Sequence, residues 1–96
     1  MIEDHKIRQI AQSIATVNLS SSVVSSVLSS TKIDSEGDDT VLITIVVAPG
    51  SAEKIQGEAA IKTLSGILRE FEKQGDDRFP IIKYATEDEL AAVGDI

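Results

Sequence analysis

Between residues 3 and 17, the apolar positions Ile7, Ile10, Ala11 and Ile14 recur at spacings of three and four. That period predicts an amphipathic helix with one apolar stripe. Glu3 and Asp4 occupy its first turn, where negative charge suits the helix dipole, and Val17-Asn18 marks its expected end. The pattern then changes. From Ser20 to Thr31 the chain is rich in serine, with Val23, Val24, Val27 and Leu28 spaced through it. Serine is a poor residue for a helix interior, because its hydroxyl competes for backbone groups. Val24-Ser26-Leu28-Ser30 alternates in the manner of a half-buried strand. We therefore expect a loop and then a strand over about 24–33. The valines and the leucine separate this stretch from a disordered linker.

Asp34-Ser35-Glu36-Gly37-Asp38-Asp39 reads as a hairpin turn, with Gly37 available for positive φ. The run Thr40 to Ala48 is β-branched and apolar on both faces except at Thr44, as a central strand requires. Pro49-Gly50 ends it. Residues 51–74 predict the long helix, with Gly57, Ala60, Ile61, Leu64, Ile67, Leu68 and Phe71 as its apolar face. Its start has two readings: Ser51 as N-cap, or a loop over 50–56 with the helix beginning near Gly57. Gly75 suits a left-handed residue just beyond the helix end. Phe79 to Ala85 predicts a third strand, at an edge because Pro80 lacks a donor. Thr86 and Glu89 form a capping box, so a short helix over Glu87–Val93 follows and the last residues fray.

The order α-β-β-α-β-(α) predicts an α+β fold. The acidic hairpin makes the first two strands antiparallel. A helical crossover makes the second and third parallel if they are neighbours. The expected architecture is a small three-stranded mixed sheet with helices packed on one face. Ninety-six residues suffice for a single domain over 1–96, and there is no internal repeat.

Composition narrows the function. Without cysteine there is no disulfide and no thiolate metal site. The charged N-terminus excludes a secretory signal, and the longest apolar run, Ile45 to Ala48, is too short for a membrane span. A cytoplasmic protein is expected. Phe71, Phe79 and Tyr84 are the only aromatic residues, so there are few platforms on which nucleobases could stack. The net charge is −7. The acids gather in the turn 34–39 and in the segment 76–95, whereas residues 40–74 balance. A negative field repels phosphate backbones, which makes nucleic acid an unfavoured partner and a basic protein a suitable one.

No catalytic, cofactor or metal constellation emerges. Asp34, Glu36 and Asp38 match the first three ligands of a calcium loop, but Asp39 and Ile45 stand where the loop needs Gly and Glu. His5 is the only histidine and has no nucleophile elbow to serve. Asp38-Asp39, Asp76-Asp77 and Glu87-Asp88-Glu89 are expected to be solvated acids of turns and a helix start. Gly50 to Gly57 contains no phosphate-binding pattern. On the long helix, Lys54, Lys62, Arg69 and Lys73 are interleaved with Glu53, Glu58, Glu70 and Glu72, which predicts a solvated face.

The helix-strand-strand-helix-strand order resembles the type II KH-like arrangement of ribosome-associated factors such as ribosome-binding factor A. That resemblance implies RNA binding, for which Lys6, Arg8 and Lys32 are the available bases; the G-x-x-G loop of such domains is absent. The segments IDSEGDD, LITIVVAPGS, IQGEAAIKTL and GDDRFPIIKYATEDEL resemble a family of small bacterial proteins. That second resemblance implies a neighbouring helical protein of the HEPN type and a toxin–antitoxin pairing, in which an acidic chain would bind a basic one. It carries no site residues. The expected function is a non-catalytic protein-interaction or regulatory module, antitoxin-like or self-associating. A KH-like nucleic-acid binder is one alternative and a small carboxylate-dependent enzyme another. The serine-lined first strand and the sheet face away from the helices are the expected contact surfaces.

Overall fold

A computed structural model describes residues 1–94. Its elements are α1 (Asp4–Leu19), β1 (Val24–Ile33), β2 (Asp39–Val47), a 3-10 turn (Ala52–Lys54), α2 (Glu58–Lys73), β3 (Phe79–Ala85) and α3 (Glu87–Gly94). The sheet has the order β1-β2-β3, with β1 and β2 antiparallel and β2 and β3 parallel. This is the expected α+β architecture. The fraying expected at the C-terminus falls largely on Asp95 and Ile96, which lie outside the described residues.

The core lies between the sheet and the two long helices. Val41, Ile43, Ile45 and Val47, alternate residues of β2, meet Ile7, Ala11, Ala15 and Leu19 of α1 and Ile67 and Phe71 of α2. α1 packs on β1 and β2, and α2 packs on β3 and α1. The serine-rich segment is a strand because Val23, Val24 and Val27 are buried in this core. The register shifts between Val24 and Ser26, so Ser25 is a bulge residue. The bulge places Val24 and Val27 inward together and turns Leu28 to the other face, 49% exposed. The strict alternation expected from Val24 to Ser30 is broken at that point.

Both long helices differ from expectation. α1 runs on to Leu19, because Asn18 fits inside it: its Nδ2 donates to the Ile14 carbonyl oxygen, 2.9 Å away. α2 starts at Glu58, the second of the two readings. Gly57, at φ 57°, turns the chain into it, and Ser51 precedes the 3-10 turn with no side-chain cap bond. The apolar face is also rotated. Thr63, Ile67 and Phe71 are the buried positions, while Ile61 and Leu64 are exposed at 64% and 39%. α2 carries apolar residues around more than half its circumference, so its spacing did not define one seam. Its neighbour α1 approaches at Gly66, where a Cβ would lie 2.9 Å from Cγ2 of Ile14.

The ends follow local chemistry. α2 closes with Gly75 N–H bonded to the Glu72 carbonyl and Asp76 N–H to the Phe71 carbonyl, a Schellman motif with Gly75 at φ 73°. At α3 the Thr86 N–H donates to Glu89 Oε1 at 2.9 Å and the Glu89 N–H donates to Thr86 Oγ1 at 3.2 Å, the reciprocal capping box. No helix among the described residues is long and apolar enough to cross a membrane.

Candidate functional site

Because α1 and α2 cover one face of the sheet, the residues between the buried ones point the other way. Register assigns them to cross-strand rows: Ser26, Val46 and Ala85; Leu28, Thr44 and Lys83; Ser30, Leu42 and Ile81; Lys32, Thr40 and Phe79. Leu28, Phe79 and Ile81 are exposed at 49%, 61% and 46%, and Leu42 is half-buried among them. The middle of this face is dry nonetheless: Thr40, Thr44 and Val46 are buried. Lys32 and Lys83 are its only charged residues. The result is a short apolar strip crossing three strands, with a lysine on each edge strand.

The acidic turn lies at one end of the sheet. Asp34 is committed to the turn, since its Oδ1 accepts the backbone N–H groups of Glu36 and Asp38 at 2.9 Å each. Gly37 has φ 88°. Asp34, Asp38, Asp39 and Asp77 share a surface recess of about 360 Å³ with Arg78 and Phe79. Among the described residues, no three His, Asp or Glu side chains are grouped so that they could hold a metal ion.

Asp76 departs from expectation. It was expected to be solvated, like its neighbour Asp77, but Asp76 and Arg78 form a buried ion pair with side chains 1% and 5% exposed. Arg78 Nε and Nη2 both donate to the carboxylate, with Nη2 2.6 Å from Oδ2. The same guanidinium donates to the Ile2 carbonyl oxygen at 2.9 Å, and Asp76 Oδ2 accepts the Ile2 N–H at 2.9 Å. These bonds hold the Asp76 carboxyl far below the usual carboxylate range, hydrogen bonding to Arg78 outweighing the opposing effect of burial. The Arg78 guanidinium is pushed up by the same partner. The pair therefore ties the N-terminus to the root of β3 and is consumed by that role. A sequence signal existed: Arg78 is the only base between Gly75 and Phe79, two residues from an acid and at a strand start.

The other expected residues remain apart. His5 is exposed, with Nδ1 3.3 Å from Glu3. Arg8 reaches Ser29 on β1, Nη1 to Oγ at 3.4 Å, while Lys6 and Lys32 are exposed. Lys62 pairs with Glu58 at 2.8 Å across one helical turn, which lowers the Glu58 carboxyl. Glu89 is lowered by its bonds to Thr86. Two other recesses stand out among the described residues. One, of about 540 Å³, is an open groove between α1 and α2 beside Ile14, Val17, Gly66 and Arg69. The other, of about 330 Å³, lies beside Tyr84, Ser51 and Glu89, and burial pushes the Tyr84 hydroxyl up. The second does place a hydroxyl beside a carboxylate, with Thr86 Oγ1 donating to Glu89 Oε1 at 3.1 Å, but both groups are taken up by the cap of α3.

No family model matches the chain, and neither a curated protein nor a solved structure matches it.

Proposed function

We propose that the protein works by binding protein, and that its contact surface is the sheet face left uncovered by α1 and α2. The observation that carries this reading is the exposure of Leu28, Phe79 and Ile81 on one continuous face around the half-buried Leu42. A large apolar side chain that stays in water forfeits about 1.5–3 kcal/mol of transfer free energy, which a docked surface recovers. The acidic turn and the acidic start of α3 add a negative field that favours a partner with basic flanks. Such a partner accords with the basic toxin implied by the sequence resemblance.

The test compares the wild-type chain with Phe79→Ser/Ile81→Ser, both immobilised and exposed to an extract of the native host. Both changes lie on exposed positions and spare the core. A basic protein retained by the wild type and lost by the double variant supports the reading. Identical recoveries, or none together with a wild type that stays monomeric, overturn it.

A further inference from the structure

We infer that β1 is a self-association edge, at which two copies of this chain pair antiparallel about a two-fold axis through Leu28 and form one six-stranded sheet. The inference deepens the protein-binding reading by naming an occupant, a second copy, for a different part of the same sheet.

The backbone groups of β1 point alternately toward β2 and away from it. The Thr40 hydroxyl donates to the Lys32 carbonyl oxygen at 3.1 Å, so that carbonyl faces β2. Two residues on, Asp34 N–H donates to the Asp38 carbonyl at 2.9 Å, in the same sense. Antiparallel pairs alternate between bonded and non-bonded, and the register is unbroken from Ser26 to Ile33. Leu28, Ser30 and Lys32 therefore turn their N–H and C=O groups toward β2. Val27, Ser29 and Thr31 turn theirs outward. β1 is an outer strand, so that row has no partner in the sheet. Long free edges are normally blunted by charge or proline. β1 has no proline, and Lys32 is its only charge.

The self-complementary register selects a second copy as the occupant, and electrostatics limits where that copy can sit. Two copies each carry −7 and repel, so they approach only where charge is absent. Residues 9–31 contain no Asp, Glu, Lys, Arg or His, and this span covers most of α1 and nearly all of β1. With Leu28 on the axis, Val27 of each copy faces Ser29 of the other, and two such pairs offer four backbone hydrogen bonds. Ser26 faces Ser30, Lys32 faces Val24, and Asp34 falls across from Ser22. No charge meets a charge, and the two exposed Leu28 side chains pack together at the close approach of a non-bonded pair.

The competing self-contacts are worse. Pairing through β3 loses the donor of Pro80, and a two-fold axis at Ile82 sets Asp77 across from Glu87. Face-to-face packing of the open sheets brings together Lys32 and Lys83, the only charges on that face.

The experiment uses sedimentation equilibrium on the full chain in the micromolar range, with single-cysteine crosslinking in this cysteine-free protein. The wild type is expected to show a dimer. Leu28→Cys should trap it as a disulfide, since facing residues of a non-bonded pair sit within bonding distance, whereas Ser30→Cys should not. Ser29→Pro removes an outward N–H and spares the bonds to β2, so it should give a folded monomer. Leu28→Glu, which places like charges on the axis, should do the same if the proline variant misfolds. A monomeric wild type overturns the inference. So does a dimer that survives both substitutions, or crosslinking that is equal at positions 28 and 30. A monomer here leaves the reading based on Phe79 and Ile81 to its own test.

Discussion

At Asp76 and Arg78 a complete ion pair is removed from water, and its desolvation is offset because each buried nitrogen and oxygen of the pair has a hydrogen-bond partner. Asp76 accepts from Arg78 and Ile2, and Arg78 donates to Asp76 and Ile2. Breaking such a pair on one side leaves a buried charge uncompensated, which costs about 3–5 kcal/mol. Asp76→Ala is expected to lower the urea midpoint by that equivalent, and Asp76→Ala/Arg78→Met to recover much of the loss. A single variant as stable as wild type would show the pair to be idle. The sign of the pH dependence follows from the lowered carboxyl. A depressed folded-state pKa contributes stability that is present above the ordinary carboxylate range, about 4. It declines progressively as pH falls from that range toward the depressed folded-state value, since the unfolded chain takes up the proton first. Wild-type stability should therefore fall more steeply below about pH 4 than that of Asp76→Asn, measured by urea unfolding across pH 7 to 3.

At the scale of elements, the close approach of α1 and α2 at Gly66 and the cap of α3 are the contacts most exposed to single changes. A side chain at residue 66 must displace Ile14, whose Cγ2 would lie 2.9 Å from a new Cβ. Gly66→Leu should cost about 1–3 kcal/mol by overpacking, despite leucine's better helix propensity. Thermal unfolding checks this; an unchanged midpoint would mean that the helices separate freely. Thr86→Ala removes the acceptor of the Glu89 N–H and should cost about 0.5–2 kcal/mol, confined to α3 and readable as faster amide exchange there. Elements such as these were legible in the sequence where one local rule dominated. The Thr86–Glu89 box, the Gly75 stop and the β-branched run of β2 each express a short-range preference. The rotated face of α2 was not legible, because Ile61, Leu64, Ile67 and Phe71 are all apolar and only tertiary contact chooses among them. Arg78 two residues on was a local signal for a partner of Asp76, but the burial of the pair was hidden for a similar reason. The partners of Asp76 include Ile2, 74 residues away, and no local pattern reports such a contact. The open face was legible in outline, since two helices of this length cover one side of a three-stranded sheet. The Ser25 bulge, which decides that Leu28 points into that face, was not.

For the whole molecule, the unequal placement of charge governs behaviour in salt. The acids lie in the 34–39 turn, at Asp76-Asp77 and at the start of α3, while residues 9–31 are neutral. Two copies joined along β1 therefore gain backbone hydrogen bonds and a Leu28 contact at a seam whose only charge is Lys32, while the acidic turn of each lies toward the Glu87 and Asp88 of the other, which share a recess with Ser25. The long-range term is purely repulsive, and salt screens it: the Debye length falls from about 30 Å at 0.01 M to about 8 Å at 0.15 M ionic strength. The molecule spans 34 × 33 × 23 Å, so at low salt each copy feels the whole charge of the other, and at physiological salt only its near edge. Self-association should thus tighten as sodium chloride rises from 0.01 to about 0.15 M. Sedimentation equilibrium along that series measures the trend directly. A seam built on ion pairs, such as Lys83 of one copy against the acidic turn of another, would show the opposite slope. A dissociation constant that rises with salt would therefore place the contact on the charged ends rather than on β1.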